Sequence, residues 1–396
     1  MRGAVAHFIH FEALGRGRRE AYAFFATFFL TAMSTYMTIV FIPLYALKFT
    51  ANLGLVSLLT TAYYIAFTAS LPIYGRLSDR KGAYATFTIL GTAATSLSCL
   101  AIPAVRSYLE LAAVRAVQGV SWALVAPMGA AMASLSTTRT LRGRAMSVFN
   151  LSVSSGYLAG SIAAGVVSEL WGMDSVFILG GLTSAAASIT AILGLRGWGV
   201  AERPRSRVKL RLRRVKPVYV GFALRNVGAT GIWALFPIYL ASLGASDLWI
   251  GILYMVNLAS QSLLMGYVGS LTDKWGRKPV FLMGLFGSST VFALYGLSKN
   301  YLWIIPIHVL LGLSWNSLIT ASTAYIGDEA PGEAHGAMMS LLFTVTGLAW
   351  IAGSSLAAGL VGLIGLRKYM FVAAAFSALG GLYGLVYMEE SLGRVK

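Results

Sequence analysis

Three ionisable side chains fall inside long apolar runs of this sequence, Arg115, Arg225 and His308, and a fourth, Glu110, stands near the start of the run that holds Arg115. Charge in such surroundings is costly, so each is a functional candidate by default. A guanidinium there can hold an anionic group through charge-assisted hydrogen bonds or keep a nearby carboxylate ionised. The plainer role for Arg115 is to bond carbonyls of neighbouring helices. Glu110 lies five residues earlier, about 7.5 Å along a helix and off the same face. His308 can exchange a proton near neutrality or pack as a satisfied helical residue. Arg225 can bind an anion or snorkel to an interface about 10 Å away.

Neutral residues widen the set. Asn257 and Gln261 are four apart, on one helical face, and suit either a solute-lining role or a hydrogen bond to the next helix. Trp122, Tyr157, Trp315 and Trp350 lie in the middle of apolar runs, and Thr31 sits among Thr27, Ser34, Thr35 and Thr38. Bond-making chemistry has no matching residues: there is no His-Glu-x-x-His, no paired aspartates, and the single cysteine, Cys99, has no histidine partner. We therefore expect no enzyme activity, no cofactor and no metal.

The elements that must carry these residues are set by composition. The chain has 396 residues, 57% hydrophobic and only 11% charged, with mean hydropathy +0.72. Apolar runs long enough to cross a bilayer, about 20 residues each, recur at 21–47, 53–75, 83–104, 108–134, 145–168, 174–195, 218–243, 248–271, 279–298, 301–326, 336–362 and 369–388. These predict an all-α membrane protein with twelve spans. The first run is too long for the core of a cleaved signal peptide, about 7 to 15 residues. The net charge of +17 suggests nucleic acid at first sight, but its distribution does not. With the amino terminus placed in the cytoplasm, 24 of the 31 Lys and Arg fall on that side and five on the other. That is a positive-inside signal, with both termini cytoplasmic, the protein in the cell membrane, and no nucleic-acid partner.

The sequence also repeats itself. Phe41-Ile42-Pro43-Leu44-Tyr45 matches Leu235-Phe236-Pro237-Ile238-Tyr239, and Gly75-Arg76-Leu77-Ser78-Asp79-Arg80-Lys81-Gly82 matches Gly269-Ser270-Leu271-Thr272-Asp273-Lys274-Trp275-Gly276, both at an offset of 194. Gly119 to Trp122 matches Gly312 to Trp315, and Tyr157 to Ser161 matches Trp350 to Ser354, at 193. The chain thus divides into a basic arm, 1–20, read as a disordered or interfacial lead-in; a six-helix bundle, 21–195; a basic linker, 196–217; a second bundle, 218–388; and a tail, 389–396. Six is even, so the halves are parallel repeats.

These features resemble the major facilitator superfamily of secondary transporters. Its diagnostic loop, Gly-x-Leu-x-Asp-Arg/Lys-x-Gly-Arg-Arg/Lys, is satisfied throughout by Gly269, Leu271, Asp273, Lys274, Gly276, Arg277 and Lys278. Gly75, Leu77, Asp79, Arg80 and Gly82 satisfy the first copy, where Ala83 and Tyr84 replace the closing cations. The resemblance implies that these loops latch the cytoplasmic ends of the halves. Asp79 is then expected to pair with Arg144 or Arg142, while Asp273 has no matching arginine in the second half. It also implies that spans one, four, seven and ten line a central cavity.

Arg115-Ala116-Val117-Gln118-Gly119 resembles the family's Arg-x-x-Gln-Gly signature of span four, associated with proton-coupled members and especially exporters. Gly156 and Gly160 keep the glycines of the antiporters' Gly-x-x-x-Gly-Pro element, but Ser161 replaces its proline, and span one lacks the acid that many cation exporters carry. The reading is therefore a monomeric secondary antiporter moving a small-molecule solute by alternating access, proton-coupled and exporter-like. Its alternative is a carrier of an anionic metabolite that uses Arg225. A channel or membrane-embedded sensor is the rival from another class, which single-channel currents in place of saturable counterflow would mark.

Overall fold

The computed structural model describes residues 11–138, 140–198, 212–329 and 334–391, and of these the side chains of 79, 81, 212 and 334–336 are outside the description. The first ten residues of the arm, linker residues 199–211 and tail residues 392–396 therefore lie outside the described residues. Thirteen α-helices follow one another: α1 Arg18–Ala46, α2 Leu53–Lys81, α3 Tyr84–Ala101, α4 Tyr108–Leu135, α5 Arg142–Trp171, α6 Met173–Gly194, α7 Leu212–Trp233, α8 Phe236–Ser242, α9 Asp247–Trp275, α10 Arg277–Leu297, α11 Ile304–Glu329, α12 Ala334–Ile364 and α13 Leu366–Tyr387. Among the described residues no strand occurs, and 11 helices are long and apolar enough to cross a membrane. Backbone polar groups in hydrocarbon must be satisfied within the segment, which is why runs of this composition become helices.

The chain falls into two compact units, one of residues 1–49 and 62–204, the other of residues 50–61 and 205–396. In the first unit α1 packs on α5 and α6, and α3 on α4 and α6; in the second α7 packs on α12 and α13, and α10 on α11 and α13. The first turns of α2 belong to the second unit, where Ser57 Oγ donates to the Ser354 carbonyl at 2.8 Å and Thr61 Oγ1 to Ser354 Oγ at 2.9 Å.

The sequence repeat reappears bond by bond. Ser96 Oγ donates to the Gly181 carbonyl and Ser184 Oγ to that of Thr92, both at 2.8 Å; their counterparts Ser289 and Ser377 donate to Ala374 at 2.9 Å and Leu285 at 2.7 Å. Tyr45 donates to the Ile102 carbonyl and Tyr239 to that of Tyr295. Close packing repeats as well: a Cβ on Gly160 would lie 2.5 Å from the Met33 carbonyl oxygen, and one on Gly353 2.2 Å from that of Val227. Only glycine lets these helix pairs approach so closely.

Two expectations change. The seventh predicted span, 218–243, is interrupted: α7 ends at Trp233 and α8 begins at Phe236. The Leu235 N–H turns to the Ile232 carbonyl, three residues back, at 3.0 Å, and Pro237 has no N–H to carry the ladder across. Proline alone does not break the helix, since its counterpart Pro43 lies inside continuous α1. Gly228 and Gly231 precede the break, where α1 has Ser34 and Met37, and they lower helix propensity there. The second change concerns the arm. Phe11–Leu14 forms a 3-10 turn with Leu14 fully buried, in a core with Phe24, Phe28, Phe149 and Trp198. Phe11, Ala13 and Leu14 give this stretch an apolar face, so its described part is docked and not a free lead-in.

Candidate functional site

The Arg-x-x-Gln-Gly stretch of α4 builds a site inside the first unit. Gly119 brings α4 against α2, since a Cβ there would lie 2.2 Å from the Tyr63 carbonyl oxygen. This approach sets the Tyr63 ring under the Arg115 guanidinium, whose central carbon is 4.6 Å from the ring centroid. Arg115 Nη1 donates to Gln118 Oε1 at 2.7 Å, and Gln118 Nε2 donates to Cys99 Sγ at 3.7 Å. Thr38 Oγ1 lies 3.3 Å from the same sulfur. Thr35, Thr38, Tyr63, Thr95, Cys99 and Gln118 surround Arg115 and enclose space for about one water molecule. Arg115 is only 5% exposed, and its Nε has no hydrogen-bond partner among the described residues. The cavity lining contains no carboxylate.

Glu110 does not belong to this group. It is exposed in the first turn of α4, where Ser107 Oγ accepts the Glu110 N–H at 3.3 Å and Glu110 Oε2 accepts that of Arg106 at 2.8 Å. Ser107 thus caps the helix start, satisfying a donor that a helix end leaves free, and Glu110 holds the residue that precedes the cap. In this structure it bonds at the start of its own helix and is not among the residues that line the Arg115 cavity.

The second unit handles its charge differently. Arg225 is 4% exposed, donates from Nε to Ser288 Oγ at 3.2 Å, and lies over the rings of Phe292 at 5.4 Å and Trp315 at 4.8 Å. Snorkelling to an interface is thereby ruled out. By the repeat register Ser288 corresponds to Thr95 and Phe292 to Cys99. Each half therefore sets one guanidinium against the same part of its third helix, from α4 in the first and from α7 in the second.

His308, the counterpart of Arg115, is fully buried; Nδ1 lies 2.7 Å from the Leu253 carbonyl oxygen, so that nitrogen carries the hydrogen. Trp233, Phe236 and Tyr295 ring it, with centroids 6.2, 5.5 and 5.8 Å away. The break between α7 and α8 turns both Trp233 and Phe236 onto it. His308 Nε2 and the Tyr295 hydroxyl are buried with no partner among the described residues. Sequence reasoning missed Tyr295, which carries no signal beyond being a tyrosine in an apolar run.

The neutral candidates divide. Gln261 Nε2 donates to Asn257 Oδ1 within α9, and Asn316 Nδ2 donates to the Gln261 backbone carbonyl, each at 2.7 Å, so Asn316 ties α11 to α9; Asn257 Nδ2 is buried with no partner among the described residues. Thr31 is fully buried and donates to the Thr27 carbonyl at 2.7 Å, one turn back on its own helix. Trp122 and Tyr157 are half-buried neighbours, ring centroids 6.3 Å apart, and Tyr36 lies 4.8 Å from Tyr157. Trp315 contacts Phe222 as well as Arg225, and Trp350 is half-buried on α12.

Both loop motifs need their second glycine for the turn: Gly82 has φ +60° and Gly276 φ +100°. Gly75 and Gly269 stand in open surroundings, and Arg80 and Lys274 are exposed. The side chain of Asp79 lies outside the described residues, and with it the expected pairing. Arg144 is exposed, and Arg142 Nε donates to the Ser134 carbonyl at 2.9 Å. In the second copy Asp273 does have an arginine, supplied by the motif itself. Arg277 donates to Asp273 Oδ1 at 3.2 Å and to Asp328 Oδ2 at 2.9 Å. Glu390 accepts the N–H groups of Arg277 at 2.9 Å and Lys278 at 3.0 Å, and Lys278 Nζ donates to the Leu385 carbonyl at 2.9 Å. The first half has Ala83, Leu135 and Gly197 at the counterparts of Arg277, Asp328 and Glu390.

Comparison with known proteins agrees with this architecture. The family model described as Major Facilitator Superfamily matches residues 24–218 and again 218–394. An uncharacterized MFS-type transporter of Methanocaldococcus jannaschii is 21% identical over 392 residues, 95% of this chain and 100% of that protein. The multi-drug resistance efflux pump PmrA of Streptococcus pneumoniae is 23% identical over 385 residues, 92% of this chain and 94% of that one. Among solved structures, an auto-inhibited POT family peptide transporter shares the fold at a TM-score of 0.77 and 14% identity, over 96% of this chain and 99% of the other.

Proposed function

Because the chain belongs to the Major Facilitator Superfamily and is thus a multi-pass membrane transporter, we propose that it is a secondary carrier that exports a small organic solute bearing an anionic group, by alternating access coupled to protons. The observation that carries the anionic preference is the buried guanidinium of Arg115, held by a neutral amide and a tyrosine ring in a cavity without a carboxylate. A solute anion supplies the charge that this setting lacks and forms the charge-assisted bond left open at Nε. Buried Arg225 gives the second half the same preference. The outward direction is supported by efflux pumps among the relatives, and proton coupling by the Arg115 to Gly119 signature.

A reading as an exporter of drug-like compounds without an anionic group draws on the names of relatives, which include multidrug and tetracycline resistance proteins. Both termini and the linker are assigned to the cytoplasmic side of the cell membrane on the distribution of Lys and Arg. The loops act as latches in this scheme, Asp79 with Arg144 in the first half and Asp273 with Arg277 and Asp328 in the second. The deciding experiment is flux in proteoliposomes, with and without an imposed pH gradient, across anionic and cationic organic compounds. Saturable flux of anions, lost in Arg115→Ala, supports the proposal; flux of cations only, or flux indifferent to the gradient, overturns its substrate or its coupling part.

A further inference from the structure

We infer that the Arg115 cavity holds a monoatomic anion of the halide class as resident counter-charge in the solute-free protein. A guanidinium withdrawn from water costs several kcal/mol unless an opposite charge and hydrogen bonds offset it. Among the described residues Arg115 has one neutral hydrogen bond, to Gln118, and the face of Tyr63, and its Nε–H meets no acceptor although the residue is only 5% exposed. Every other side chain lining the cavity is uncharged at neutral pH. Thr38 and Thr95 donate their hydroxyl hydrogens to the carbonyls of Ser34 at 3.1 Å and Gly91 at 2.9 Å. The donors left for a ligand include the Arg115 Nε–H, the guanidinium N–H groups not given to Gln118, and the Thr35 hydroxyl, which no hydrogen bond among the described residues engages.

Size selects within the anions. Room for about one water admits a halide and excludes a carboxylate or phosphate unless the walls move. A water would fill the space but leave the charge uncompensated. The site shares Arg115 with the transport reading, yet it concerns equilibrium binding without any organic solute, so either can fail alone.

The test uses the purified full chain in detergent with gluconate as the only anion. Chloride or bromide is then titrated at constant ionic strength while the thermal unfolding midpoint is followed, since a ligand of the folded state raises it. The expected result is a saturable rise that disappears in Arg115→Gln and persists in exposed Arg367→Gln. Thr35→Val, a change that keeps side-chain volume, should require about tenfold more halide for the same rise. In crystals grown with bromide, anomalous density should appear beside Arg115 Nε. No rise in wild type, or an equal rise in Arg115→Gln, overturns the inference and leaves a cavity that holds water only. If Arg115→Gln does not fold, unchanged halide demand in Thr35→Val together with absent bromide density overturns it equally.

Discussion

Arg115 Nη1 donates to Gln118 Oε1 at 2.7 Å, one turn along the same helix. The bond fixes the guanidinium over the Tyr63 ring and spends only a neutral acceptor on it. It gives the Arg-x-x-Gln-Gly order a physical meaning: the arginine is the charge, the glutamine its holder, and the glycine the contact that brings Tyr63 within reach.

Gln118→Leu removes that acceptor and leaves a buried donor unpaired. Loss of a hydrogen bond to a charged group costs about 1.5–3 kcal/mol, so the thermal unfolding midpoint should fall. Gln118→Glu instead supplies a counter-charge within the cavity. Flux of anionic solutes should then drop about tenfold or more while folding is kept, and unchanged anion flux would show that the charge at Arg115 does not select the solute.

Ser288→Ala deletes the single side-chain hydrogen bond that the described residues give Arg225. A loss of about 1.5–3 kcal/mol is expected, with the guanidinium still held between Phe292 and Trp315. Arg225→Ala should reduce anion flux far more than Ser288→Ala does. Equal effects of the two would reduce Arg225 to a packing residue.

Gly160→Val and Gly353→Val should behave alike, because each places a Cβ within 2.5 Å of a facing carbonyl oxygen. Overpacking of this kind costs about 1–3 kcal/mol or more. Folded yield measured by size-exclusion chromatography should drop for both, and a normal yield for either would contradict the close helix contact.

Glu390→Ala removes the acceptor of two N–H groups at the start of α10. A helix-capping loss of about 0.5–2 kcal/mol follows, read as a lower unfolding midpoint. The first half has Gly197 at the matching position and so has no equivalent side chain to remove.

Orientation is tested by labelling in a Cys99→Ala background. Lys299→Cys should react with an impermeant maleimide on intact cells, and Lys274→Cys only after permeabilisation. The reverse pattern would invert the topology drawn from the cation distribution.

The sequence by itself determined the class, the repeat and the family, because hydropathy, charge asymmetry and a ten-residue loop are local quantities that need no partner to be read. It also singled out Arg115, Arg225 and His308, since charge in an apolar run stands out wherever it later lands. What surrounds each of them was decided by tertiary structure. Glu110 turned back to the start of its own helix, and Thr31 bonded its own turn. Asp273, with no arginine at the positions matching Arg142 and Arg144, bonds Arg277 of its own motif. The α7–α8 break depended on glycines without counterparts in α1, and it delivered Trp233 and Phe236 to His308. That Arg115 and Arg225 reach matching parts of α3 and α10 follows from side-chain length and helix packing, which one-dimensional spacing does not record.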